Sequence, residues 1–144
     1  MDAKQLAQLY VDALAEIGVA AKIDEEMDVV FKSPGMGSFF ISLDAERDPE
    51  FMRLVFPNFY SDKDAPKVLN AVNTVNLQTK AVKMLMRERE AAGEVDVSAS
   101  VECFLAGRDQ QPELNLIKAI MDRCLAVIGA GVRSFSKEIS QDKP

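Results

Sequence analysis

EVDVSASVECFLAG, residues 94–107, alternates without a break. Val95, Val97, Ala99, Val101, Cys103 and Leu105 fall on one side, and Asp96, Ser98, Ser100, Glu102 and Phe104 on the other. Successive side chains of a strand point to opposite faces, so the stretch predicts an antiparallel strand half in the core and half towards water. TKAVKMLMRERE, residues 79–90, precedes it and reads as its hairpin partner, with Glu-Ala-Ala-Gly-Glu at 90–94 as the connecting turn.

Upstream of the hairpin the period is again close to two. Between residues 19 and 57 the apolar runs are VAAKI, DVVFKS, GSFFISL and EFMRLVFP, and DEEMD, PGMG and DAERDP separate them. Connections this short fit a meander and not parallel crossovers. Three segments have helical spacing instead. Residues 3–17 place Leu6, Leu9, Tyr10, Ala13, Leu14 and Ile17 on one stripe, and Gly18 offers a stop. Residues 62–78 put Ala65, Val68, Leu69, Val72 and Val75 on a face, with Asp62 or Asp64 as cap and Pro66 in the first turn. Residues 113–136 carry a wide face, in which Leu114, Ile117, Met121, Cys124, Ile128, Val132 and Phe135 form the main stripe. A second stripe of Leu116, Ile120 and Val127 runs beside it. The expected order is α-β-β-β(-β)-α-β-β-α, an α+β fold with an antiparallel sheet and three helices. One domain over residues 1–144 is expected, its core at about 3–136 and a polar tail at 137–144.

Composition narrows the chemistry. The chain has 144 residues, a net charge of −6, two cysteines and no histidine. Phosphate backbones and anionic membranes are bound through Lys and Arg, so neither nucleic acid nor a membrane is an expected partner. No amino-terminal signal or membrane span is read, and the cytoplasm is the default location. Without histidine, no catalytic residues, cofactor-binding residues or metal ligands are assigned, and no cofactor is expected. Cys103 and Cys124 both read as buried small hydrophobes. One disulfide between them is conceivable, but nothing marks a secreted scaffold. The acidic clusters at 24–26, 44–48 and 62–64 read as solvated turns. Pro34-Gly35-Met36-Gly37 reads as a hairpin turn, and Gly129-Ala130-Gly131 as a place for close packing, since neither has the context of a phosphate loop.

Asn70, Asn73 and Asn76 recur three apart on the second helix, where Asn is a mediocre former. The plain account is that Asn76 ends the helix and Asn73 ties helix to sheet; the sharper one is a polar recognition strip. VLNAVNTVNLQTKAVKMLMRERE, residues 68–90, resembles the helix-then-strand signature of the bacterial YbjN-type family, with Asn73, Asn76 and then Lys80. The resemblance extends in element order over residues 3–136. It departs in the absence of Trp and in the long turn at 90–94. It implies a fold like that of type III secretion chaperones, small acidic dimers that bind extended segments of other proteins, and it brings no catalytic residues. A non-enzymatic, chaperone-like protein-binding module is therefore the leading expectation. A regulatory domain sensing a small ligand in an apolar pocket is the alternative, and an enzyme stands behind both. A homodimer is expected, with Leu116, Ile120, Val127, Ala126, Gly129 and Ala130 as the candidate interaction surface.

Overall fold

A computed structural model describes residues 1–89 and 93–141. The elements are α1 (Ala3–Glu16), β1 (Ala21–Ile23), β2 (Val29–Ser33), β3 (Gly37–Asp44), β4 (Asp48–Asp62), α2 (Ala65–Gln78), β5 (Lys83–Arg89), β6 (Glu94–Phe104) and α3 (Leu114–Gln141). The strands form one antiparallel six-stranded sheet in the order β1-β2-β3-β4-β6-β5. This is the α+β class and the element order that the periodicities predict. By its contacts the chain divides into two units, and each has its own logic.

The first unit comprises residues 1–55 and 102–125. Asp2 opens α1 with a capping box. Its carboxylate accepts from the Gln5 N–H at 2.8 Å, and its own N–H donates to Gln5 Oε1 at 2.9 Å, which satisfies two otherwise orphaned donors. Gly18, at φ 84°, closes the helix as expected, and the Val19 N–H reaches back to the Leu14 carbonyl at 2.9 Å. Leu6, Ala7, Tyr10, Ala13 and Leu14 are buried. The meander supplies the facing layer. Phe31 pairs with Phe39 across β2 and β3, their rings stacked 5.4 Å apart, and Ile41 pairs with Leu54 across β3 and β4. Ile117, Met121 and Cys124 bury the inner stripe of the start of α3.

The second unit comprises residues 56–101 and the chain from Ala126 on. Asp64 caps α2 by accepting from the Lys67 N–H at 3.2 Å. Asp62 instead accepts from the Asp64 N–H at 3.0 Å and from the Tyr60 hydroxyl at 2.7 Å. The hairpin register places Met84 opposite Ala99, Met86 opposite Val97 and Arg89 opposite Glu94. Of its expected turn, residues 90–92 lie outside the described residues. Gly131 fits closely: a Cβ there would stand 2.9 Å from a Val82 methyl. The small cluster of α3 thus admits side chains of the β5 region.

Three expectations are corrected. β4 does not stop at residue 57 but runs through Pro57 to Asp62, because Asn58 takes a positive φ of 47° and Phe59 and Tyr60 beyond it pack edge-on against Phe135. Leu69 is not core; it is 47% exposed, and the true stripe is Val68, Ala71, Val72 and Val75, from which Leu69 is one position off. The tail expected from residue 137 is helical to Gln141. Ile139, four positions after Phe135, carries the buried stripe through another turn, and residues 142–144 lie outside the described residues.

Candidate functional site

β6 is a strand because Val95, Val97, Ala99 and Val101 need one covered face, and each is buried. The opposite register should hold polar side chains. It does so until Phe104, which is 68% exposed at the strand's end in the first unit. Its ring tilts against Phe51 at 5.3 Å. Around this pair the β3–β4 turn and the segment after β6 enclose an open cleft of about 860 Å³. The cleft wall includes Arg47, Asp48, Glu50, Phe104, Arg108 and Asp109.

The cleft is shaped by backbone ties at Glu50. Its carbonyl accepts from the Leu105 N–H at 2.6 Å, and its carboxylate accepts from the Asp109 N–H at 2.9 Å. Asp109 stands at a positive φ of 60°, and the Gly107 N–H donates to Gln110 Oε1 at 3.0 Å, which holds the loop in a tight turn. Backbone hydrogen bonds, its own N–H first and then that of Asp109, keep the Glu50 carboxyl below its ordinary range. Partial desolvation, then a hydrogen bond with Glu50, raises the Asp48 carboxyl. Four carboxylates (Glu46, Asp48, Glu50, Asp109) and two guanidiniums (Arg47, Arg108) line the cleft, so its rim is net acidic around an aromatic floor.

The residues singled out in the sequence fall elsewhere. Asn73 is exposed. Asn76 ties α2 to β5, the role expected of Asn73. Its Nδ2 donates to the Met84 carbonyl at 3.1 Å, and its Oδ1 accepts from the Met84 N–H at 2.8 Å. Nor does Asn76 end the helix, which runs to Gln78 with Thr79 as its carboxyl-terminal cap. On α3, Leu116 is 42% exposed, Ile120 and Val127 are half-buried, Ala126 and Ala130 are exposed, and Gly129 is buried. The cysteines were expected to be alike and are not. Cys124 is buried, whereas Cys103 is only half-buried. The periodicities gave no hint of the cleft, though one signal was present: a phenylalanine in the water-facing register of an otherwise polar row.

Among the described residues no helix is long and apolar enough to cross a membrane, and no group of three or more Cys, Asp or Glu is placed to hold a metal ion. No protein-family model, curated protein or solved structure matches the chain. Chemically, the cleft offers an aromatic surface for an apolar side chain and carboxylates for cations beside it.

Proposed function

We propose that this chain is a non-enzymatic, cytoplasmic protein-binding module, chaperone-like in that it holds an extended segment of another protein. The observation that carries the reading is Phe104, an aromatic ring 68% exposed on the polar side of its strand, inside a cleft. Covering a Phe side chain is worth about 1.5–3 kcal/mol, and that stabilisation is open to a partner. The acidic rim favours a segment in which Lys or Arg flanks the apolar anchor. Exposed aromatic anchors in concave surroundings are the usual centres of protein interfaces. The resemblance of residues 68–90 to the YbjN-type signature belongs to the same proposal.

The proposal includes a homodimer formed by the outer stripe of α3. Leu116, Ala126 and Ala130 are exposed there, and small residues let a second helix approach closely. The test uses fluorescent extended peptides with a central Leu or Phe, flanked by Lys in one set and by Asp in the other. The Lys set should bind the wild type, and Phe104→Ser should weaken it by about tenfold, or 1.4 kcal/mol. Equal binding by wild type and variant, or preference for the Asp set, overturns the cleft assignment. Sedimentation at micromolar concentration should give a dimer, and Leu116→Glu a monomer; a monomeric wild type removes the dimer.

A further inference from the structure

β5 is the last strand at its end of the sheet, and β6 occupies one side of it, from Lys83 opposite Ser100 to Arg89 opposite Glu94. Backbone groups of an antiparallel strand point alternately to its two sides. The Met84 N–H and carbonyl point away from β6, because both are bonded to the Asn76 side-chain amide, at 2.8 and 3.1 Å. Those of Met86 and Glu88, two and four positions on, therefore point the same way. Asn76 makes with Met84 the two bonds that a neighbouring strand makes, and no other described residue continues them at Met86 or Glu88. An open strand edge is a template for another strand. This edge carries a definite charge. Lys83, Leu85, Arg87 and Arg89 share one face of β5 and are all exposed, although the chain as a whole has a net charge of −6.

We propose that the edge of β5 accepts an extended acidic segment of another protein as a further strand, bonded to the backbone of Met86 and Glu88. Backbone bonds supply the attachment in such an addition, and alternate side chains supply the choice of partner. On the exposed face an acid meets Arg87 and an apolar side chain meets Leu85, which is 38% exposed. A second copy of β5 is the wrong occupant. In a two-fold antiparallel pairing, Met86 opposite Met86 sets Lys83 against Arg89, and Leu85 opposite Leu85 sets Lys83 against Arg87. Met86 opposite Glu88 sets Arg87 against Arg87. Like charges directly opposite one another destabilise a pair of strands, so the cations that repel a copy select an acidic strand. The site lies within the second unit and prefers the charge opposite to that of the cleft, so it does not depend on the cleft.

The experiment uses the full chain and a capped, fluorescent seven-residue peptide, Thr-Glu-Thr-Val-Thr-Glu-Thr, followed by anisotropy. The matched peptide with Lys in place of Glu should bind about fivefold or more weakly. N-methylation of the amides on one side of the Glu peptide, and separately on the other, should show one side whose loss weakens binding by about tenfold or more, since each methyl removes a donor. These comparisons use the wild-type protein alone. Arg87→Glu, at an exposed position, should reverse the preference between the two peptides. Glu88→Pro removes an outward N–H while leaving the bonds to β6 in place, and it should weaken the Glu peptide although it also removes an acid. Phe104→Ser should leave the binding unchanged, which separates this site from the cleft. No saturable binding, equal binding of the Lys peptide, indifference to methylation on both sides, or loss of binding in Phe104→Ser would each overturn the proposal. So would a wild-type dimer that Glu88→Pro dissociates, because a second copy would then hold the edge.

Discussion

β6 behaves differently at its two ends, although the alternation is the same at both. Near its start, the outward side chains are all engaged within the chain. Asp96 accepts from Arg89 Nε at 3.1 Å and from the Ser61 hydroxyl, and the Ser98 hydroxyl accepts from the Asn58 N–H at 2.9 Å. Near its end, Glu102 pairs with Arg53 at 3.0 Å, but the next outward residue is Phe104, which water surrounds on most sides. Asp96, Ser98 and Glu102 each find a local partner and are finished, while the Ser100 hydroxyl between them is buried without one among the described residues. An aromatic ring there leaves a favourable burial undone. The difference teaches that the break in a pattern, and not the pattern, marks the surface available to something else.

The comparison breaks most decisively if the two faces of β6 prove equivalent. Val97 is fully buried, so Val97→Asp places an unpaired charge in the core and should cost more than about 4 kcal/mol, enough to remove a cooperative melt. Phe104→Asp should change stability by no more than about 1 kcal/mol, since the ring loses little beyond its contact with Phe51. Urea denaturation of both variants checks this. If Phe104→Asp also unfolds the protein, Phe104 is core and the contrast fails.

A smaller effect sharpens the idea that engaged polar groups are structural. Asn76→Ala leaves both backbone groups of Met84 without their amide partner and should cost about 2 kcal/mol. Asn73→Ala, at an exposed position, should stay within about 0.5 kcal/mol. Thermal melts of the pair check it, and equal losses would mean that Asn73 contributes a tie of its own.

These contrasts also explain what could be read from the sequence. Strands and helices declare themselves by period, so the element order, the Gly18 stop and the Pro34–Gly37 turn were legible. Leu69 was misplaced because it stands about 100° round the helix from Val68, at the edge of the stripe, and period alone does not say which edge is covered. The end of β4 was missed because Pro57 usually ends a strand, whereas Asn58 tolerates the left-handed turn that lets this one continue. Asn76 and Asn73 are three apart, and only the placement of β5 decides which amide meets the Met84 backbone. The cleft joins the start of β4 to the loop after β6. Such long-range meetings leave no local period.

The smallest effect concerns the closed end of β6 and depends on acid. The hydrogen bonds from Arg89, and then from Ser61, hold the Asp96 carboxyl below its ordinary range. A carboxyl depressed in the folded state adds stability that is fully present above its unfolded value near 4, and that stability is lost as the pH falls through the folded value. Stability should therefore fall on acidification from about pH 4 downward. Arg89→Leu removes the first cause of the depression, so the fall should become shallower, while stability at pH 7 drops slightly because an exposed pair contributes little. Part of the acid dependence should survive in the variant. Asp62 is also depressed, chiefly by the Asp64 N–H and the Tyr60 hydroxyl, and none of its partners is Arg89. Urea midpoints of wild type and Arg89→Leu between pH 2 and pH 7 measure the difference. Parallel curves would show that Arg89 does not hold Asp96 in solution, and that the start of β6 is as open as its end.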